Sequence, residues 1–266
     1  MAPRSFWKGY LKLSLVTCPV AMMPAVSEGE RVRFHTLDRA TGNRIQSRYV
    51  DAETGEPVEE DNEVKGYPSG PDQYVPLEDD ELESVALEST RTIDIEQFVP
   101  RNSIGWVWYD RPHYLVPDDS VGEEAFSVIR DAMAATDMVG IARLVLYRRE
   151  RAVMLVPHDN GTVLWTLRYG DEVRDPGAYF DDIETVKVDP KLKALIGKLI
   201  EERTTSWDPK MVTDPVQEQL LRIIAAKKRG KRPAKPKKAE EPSGNVVSIM
   251  DALKRSIRSE AKGKTR

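Results

Sequence analysis

The sequence predicts an α+β protein: a largely antiparallel sheet with one helix inserted, two helices after it, and a disordered basic tail. Three observations carry that expectation. Apolar residues alternate with period two through much of the chain up to Tyr169, and the period lengthens to that of a helix from Asp189 onward. The run KKRGKRPAKPKK, residues 227–238, holds eight Lys or Arg in a chain whose formal net charge is −4.

The opening WKGYLKLSLVTCPV alternates, with Trp7, Leu11, Leu13 and Leu15 on one face and Lys8, Tyr10, Lys12 and Ser14 on the other, as in a half-buried strand. RVRFHTL predicts another, setting Val32 and Phe34 against Arg31, Arg33 and His35, and DRATGNR is a polar turn before IQSRYV. Residues 51–97 form an acidic excursion with several turns and one predicted helix, EDDELESVALES. RTIDIEQFV, IGWVWYD and HYLVP are rich in β-branched and aromatic residues and predict strands. Ser120 and Glu123 have capping-box spacing before a helical stripe of Ala125, Val128, Ile129, Ala132 and Met133. GIARLVLYRR, AVMLVP and TVLWTLRY return to strand, the last two joined through His158-Asp159-Asn160-Gly161.

Asp189-Pro190 and Asp214-Pro215 each place an N-cap before a proline at the first helical position. Leu192, Leu195, Ile196 and Leu199, then Leu220, Ile223 and Ile224, give the two stripes. KRPAKPKKAEEPSG cannot bury apolar area and predicts a flexible linker. NVVSIMDALKRSI sets Val247, Met250, Leu253 and Ile257 on one helical face, and a helix so short needs something to fold against.

Composition excludes several classes. Mean hydropathy of −0.50 and no long uncharged apolar run point to a soluble, intracellular chain. A single cysteine, Cys18, rules out an internal disulfide framework and multi-cysteine metal sites. Asn160-Gly161-Thr162 is accordingly a turn, not a glycosylation site. Charge is segregated: residues 1–50 carry 8 Lys/Arg against 3 Asp/Glu, 51–97 carry 2 against 16, 98–221 carry 15 against 21, and 222–266 carry 15 against 4. Such segregation suits a polyanion-binding surface beside an acidic lobe, although acidic loops and basic tails also occur in proteins that bind nothing charged.

No catalytic constellation emerges. His35, His113 and His158 are scattered, without metal-ligand spacing, and each is more readily structural than catalytic. Neither a nucleophile elbow nor a phosphate loop is present, and the acid pairs Asp79-Asp80 and Asp181-Asp182 do not stand out from solvated surface. The chain is expected not to be an enzyme, with no cofactor and no metal. Arg31, Arg33, Arg39, Arg44 and Arg48 fall within eighteen residues, and Arg148, Arg149 and Arg151 cluster in YRRER. Guanidinium groups so placed can meet phosphates; taken alone, they read first as charges that neutralise the acidic lobe or face water.

The order of motifs decides more. SFWKGYLKLSLVTCPVAMMPA, then VKGY, ESTRTIDIEQFV, HYLVP, GIARLVLYRRE, TLRYGDEVR, WDPK and AAKKRG, from about residue 4 to 230, resemble the bacterial Ku family of DNA end-binding proteins. VVSIMDALKRSI resembles that family's C-terminal segment. The resemblance implies a β-barrel core with a ring-forming bridge segment, a helical C-terminal arm, and a homodimer whose bridges encircle duplex DNA. It also implies a role in nonhomologous end joining of double-strand breaks, with an ATP-dependent DNA ligase of the ligase D type as partner. Residues 1–188 would then be the core with its bridge and acidic excursion, 189–229 the arm, 230–244 the linker, 245–258 a partner-binding helix and 259–266 a basic tail. Carried over by position, Arg31 and Arg33 would lie near the DNA path, Arg39, Arg44 and Arg48 in or beside the bridge, and Arg148 with Arg149 on the cradle, Arg151 following them. Lys227, Lys228, Arg229, Lys231 and Arg232 open a polycation able to add nonspecific DNA affinity, and Val247, Met250, Leu253 and Ile257 could recruit the ligase. Some relatives carry cysteines around SRYVDAETGEPVEEDNEVKGY; this chain has none there, so no zinc is expected. A cytoplasmic, nucleoid-associated location follows. The alternative is a general nucleoid-associated DNA-binding protein without end preference.

Overall fold

In the computed structural model, residues 4–27, 29, 31–87 and 90–230 are described. The linker from 231, the segment with Val247, Met250, Leu253 and Ile257, and the terminal tail lie outside them, as do Lys231 and Arg232. Two compact units emerge: the chain up to residue 30 with Phe34–Asp175, and Arg31–Arg33 with the chain from Pro176 onward.

The first unit is built on a closed seven-stranded barrel. β1 (Trp7–Leu13) and β2 (Val16–Pro24) form the opening hairpin. The single long strand expected from the opening alternation is thus broken at Ser14-Leu15, where Ser14 takes φ 55° and Leu15 is 97% exposed. Its period-two pattern runs through a turn lacking glycine or asparagine, which hides the break. β3 (Lys65–Gly70) and β4 (Gln73–Leu77) make a separate two-stranded ribbon, followed by the short α1 (Asp79–Ser84) with a Glu78/Glu81 capping box. β5 (Thr92–Pro100) and β6 (Tyr109–Pro117) return to the barrel. The expected strand through IGWVWYD starts late, because Trp106–Trp108 coil into one tight helical turn that leaves Trp106 82% exposed.

α2 (Ser120–Ala135) then packs across β2, β6, β7, β8 and β9. Its cap is Asp119, one residue before the expected Ser120, with Oδ1 accepting from the Gly122 amide at 2.8 Å. The buried stripe is Gly122, Phe126, Ile129 and Met133, so Val128 faces outward, contrary to the expected face. Gly122 is required: a Cβ there would stand 2.8 Å from Cδ of Pro19. β7 (Met138–Leu146), β8 (Arg149–His158) and β9 (Gly161–Leu167) complete the barrel in the order β1-β2-β6-β9-β8-β7-β5.

Closure comes at β1 and β5, the barrel's one parallel pairing, with Tyr10, Leu11 and Lys12 opposite Thr92, Ile93 and Asp94. The Tyr10 amide donates to the Arg91 carbonyl at 2.8 Å and Lys12 Nζ meets Asp94 Oδ2 at 2.7 Å. Inward side chains from every barrel strand, including Leu11, Val20, Ile93, Leu115, Leu144, Leu155 and Leu164, join Phe126, Ile129 and Met133 in one core. Each such side chain contributes about 1.5–3 kcal/mol on burial.

RVRFHTL does not form a strand. Residues 31–64 form no strand and carry two isolated bridges, Leu37 to Arg44 and Val50 to Pro57, and one tight helical turn at Glu60–Asn62; Phe34 is 68% exposed and finds no core to reward alternation. The second unit holds α3 (Gly177–Phe180), α4 (Pro190–Arg203) and α5 (Pro215–Lys228), the last two capped by Asp189 and Asp214 as expected. Neither α4 nor α5 has a buried residue. Among the described residues, no helix is long and apolar enough to cross a membrane.

Gly9 sets the tolerance of the closure, because a Cβ there would meet the Arg91 carbonyl oxygen and the Trp7 ring well inside contact distance. Gly9→Ala should cost about 1–3 kcal/mol as an overpacking change, read as a lower urea midpoint. Gly170→Ala, with nothing nearby, should stay within about 0.5 kcal/mol.

Candidate nucleic-acid interface

Arg39, Arg44 and Arg48 are displayed by a pair of matching loops. Asp38 Oδ1 accepts from the Ala40 amide at 2.8 Å, Oδ2 accepts from Thr41 Oγ1 at 2.9 Å, and Gly42 follows at φ 74°. Thirteen residues on, Asp51 Oδ1 accepts from the Glu53 and Thr54 amides at 2.9 Å each, and Gly55 has φ 72°. Both positive φ values favour glycine. The repeated D-x-x-T-G is the sequence signal of this pair. Backbone amides hold both aspartates below the ordinary carboxylate range: Ala40, then the Thr41 hydroxyl, for Asp38; Thr54 and Glu53 for Asp51. Arg39 rides the first loop, Arg44 bridges its base to Leu37, and Arg48 follows it, all three exposed. Arg48 Nη2 meets Glu59 Oε1 at 2.8 Å in a cleft shared with Glu60, Asp61 and Glu63.

Arg148, Arg149 and Arg151 gather where β7 turns into β8. Tyr147 and Arg148 form the turn with φ 52° and 65°, a left-handed conformation that bulky residues seldom adopt and that costs of order 1–3 kcal/mol per residue. Tyr147 is 79% exposed as a result. Arg148 Nη1 lies 3.3 Å from Glu83 Oε1, and its carbonyl accepts from the Leu87 amide at 3.1 Å, tying the acidic excursion to the turn. Arg151 points back along the barrel, its guanidinium 5.1 Å from the Tyr169 ring centre.

Arg111 and Arg168, which sequence reasoning passed over, join this group through sheet pairing. Arg151 Nη1 and Arg168 Nη1 each stand 3.8 Å from an Asp110 oxygen, and the Arg111 amide donates to Thr166 Oγ1 at 3.0 Å. Two guanidiniums thus share one carboxylate, with Arg111 beside them. Arg31 and Arg33 group instead with the helical unit, where the Val32 amide donates to Gln217 Oε1 at 3.3 Å. Lys227, Lys228 and Arg229 end α5, where cations also complement the helix dipole.

Residues 12–194 match the Ku70/Ku80 beta-barrel domain. The chain belongs to the Ku family. It is 63% identical over 268 residues, 98% of either chain, to the Non-homologous end joining protein Ku of Methylocella silvestris. Proteins of the same name from Gluconacetobacter diazotrophicus and Allorhizobium ampelinum are 59% and 55% identical, covering 97% and 99% of this chain and 98% and 99% of theirs.

Other polar groups of the Ku barrel read as structural. Among the described residues, no group of three or more His, Cys, Asp or Glu is placed to hold a metal ion. Burial, aided by the Asp119 charge, pushes the Cys18 thiol up, so it stays protonated and inert. His113 is 8% exposed, packs 5.5 Å from Phe6, and its Nδ1 has no hydrogen-bond partner.

Burial is the largest influence on His113 and lowers its pKa, outweighing the nearby carbonyls of Leu164 and Arg111. The unfolded chain therefore takes up the proton first as pH falls through about 6.5, and protonation favours unfolding. Folding stability should drop between neutral pH and pH 5.5. His113→Gln should flatten that segment of the profile, read by urea denaturation across the same range.

Proposed function

We propose that this chain binds double-stranded DNA ends without sequence preference, as a ring-shaped homodimer, in nonhomologous end joining repair. One observation carries the reading: 55–63% identity, over nearly the whole chain, with three proteins named for that process. The arginine groups on the Asx loops and at the β7–β8 turn supply suitable chemistry, since a protein that must hold any broken end relies on phosphates, not base edges. Arg31, Arg33, Arg39, Arg44, Arg48, Arg148, Arg149 and Arg151 are the proposed DNA contacts, extended by Lys227, Lys228, Arg229, Lys231 and Arg232. A closed ring adds retention, because duplex can enter it only at an end. The chain acts by binding, not by catalysis, and its place is at the nucleoid.

Exposed apolar side chains on α4 and α5 support the homodimer. Ile196, Ile200, Val216 and Leu221 are 42%, 62%, 65% and 51% exposed, apolar surface of the kind a second copy can cover. The residue run 245–258 is proposed to recruit an ATP-dependent DNA ligase of the ligase D type through Val247, Met250, Leu253 and Ile257, tethered by the Lys/Pro linker.

Linear duplex should be captured and covalently closed circles of identical sequence should not, in a paired binding assay. Equal capture would favour a general nucleoid protein instead. Log affinity should fall by about 0.9 per phosphate contact for each unit of log salt, and Arg31→Glu, Arg33→Glu, Arg44→Glu or Arg148→Glu should lower both affinity and slope.

Ending the chain at Gly230 should leave end binding intact while greatly reducing stimulation of the ligase. Leu253→Asp should reproduce much of that loss with the basic linker retained, since it sets a charge in the proposed docking stripe. A ligation assay run beside DNA binding separates the two effects; normal stimulation by both variants would place recruitment in the core.

A further inference from the structure

A polar cavity of about 200 Å³ opens beside the β7–β8 turn, lined by Asp110, Arg111, His113, Tyr147, Arg151 and Thr166. Its charge balance is cationic. Asp110 is its one acid, and the Arg151 and Arg168 guanidiniums approach that acid only to 3.8 Å, beyond hydrogen-bond reach, so their donors remain available. Arg111's guanidinium makes no ion pair or hydrogen bond among the described residues. His113 contributes a nearly buried ring whose Nδ1 has no partner, while the Thr166 hydroxyl braces the wall, accepting from the Arg111 amide at 3.0 Å and donating to Asp110 Oδ2 at 3.3 Å. At the rim, the left-handed turn at Tyr147 and Arg148 holds the Tyr147 ring out.

We infer that this cavity is a phosphate subsite, Arg111 and Arg151 forming the fork that takes one phosphate group of a nucleotide and Tyr147 the lip on which its base stacks. A phosphate group fits this volume, and the exposed Tyr147 ring at the rim places the base outside. Guanidinium forks match phosphate oxygens in pairs, and an exposed aromatic ring accepts any base. Strain concentrated at Tyr147 and Arg148 fits a turn kept for what it displays. The inference rests on the DNA reading above and adds to it a second kind of contact. The loop arginines meet phosphates at an open surface, whereas this cavity would seat one phosphate individually.

The test uses the full-length dimer with two probes: inorganic phosphate, followed by thermal shift at constant ionic strength, and a blunt linear duplex carrying either a 5′-phosphate or a 5′-hydroxyl. Phosphate should raise the melting temperature of the wild type and not of Arg111→Gln or Arg151→Lys. Arg151→Lys keeps the charge and loses the fork, so it separates local geometry from general electrostatics. Both variants should bind duplex roughly tenfold more weakly, the scale of one charge-assisted contact. Arg143→Gln, whose guanidinium is engaged by Glu96 and Glu150 outside the cavity, should bind as wild type. Tyr147→Ala should weaken duplex binding and leave the phosphate response unchanged. A loss confined to the 5′-phosphorylated duplex identifies a strand terminus as the occupant; an equal loss on both duplexes identifies an internal backbone phosphate. Wild-type phosphate response and duplex affinity in Arg111→Gln and Arg151→Lys would overturn the subsite while leaving end binding standing. A phosphate response abolished by those variants, in a wild type that does not bind duplex, would overturn the DNA reading and leave the subsite.

Discussion

The closure of β1 onto β5 is the constraint on which the remaining structure depends. Parallel pairing of Tyr10, Leu11 and Lys12 with Thr92, Ile93 and Asp94 joins segments eighty residues apart and turns a seven-stranded sheet into a barrel. Only glycine at position 9 lets the two backbones approach so closely. Once the circuit is closed, register is fixed around it, and a one-residue slip anywhere would turn core side chains outward. That fixed register brings Asp110 and Arg111 on β6, Arg151 on β8 and Thr166 on β9 to one place, although no two of these strands' contributions are near each other in sequence.

Electrostatics explains how an acidic chain can serve as a polyanion binder. Many of the arginines are held by carboxylates at exposed sites: Arg48 by Glu59, Arg148 by Glu83, Arg143 by Glu96 and Glu150. Surface pairs of this kind are worth only about 0–1 kcal/mol. Such partners keep a guanidinium extended without sequestering it, and a phosphate can displace them at small cost. The acidic excursion, tied to the β7–β8 turn by the Leu87 amide, thus lies beside cations instead of simply neutralising them.

Much of the barrel was legible because its strands alternate and one face of each is buried. RTIDIEQFV, HYLVP, GIARLVL, AVMLVP and TVLWTL all fall in strands, and both Asp-Pro pairs cap helices. Where the chain lacks a core, alternation misleads: Val32 and Phe34 sit in an apolar rhythm with no sheet to join. The Ser14-Leu15 turn was invisible for the opposite reason, since its residues continue the rhythm of the strands on either side. YRRER could be singled out as a local cluster. Arg111 and Arg168 could not, because their membership depends on which strands become neighbours, and the periodicity of one segment says nothing about that.

The β3–β4 ribbon is the one sheet among the described residues with open edges, and Pro68 and Pro76 place a residue without an amide hydrogen on each of its strands. An edge missing a donor is a poor template for another strand, while a closed barrel offers none. At high protein concentration, an exposed edge with all its donors is the place where strands of neighbouring molecules can add on. The ribbon's prolines therefore guard its two edges against edge-to-edge addition of further strands.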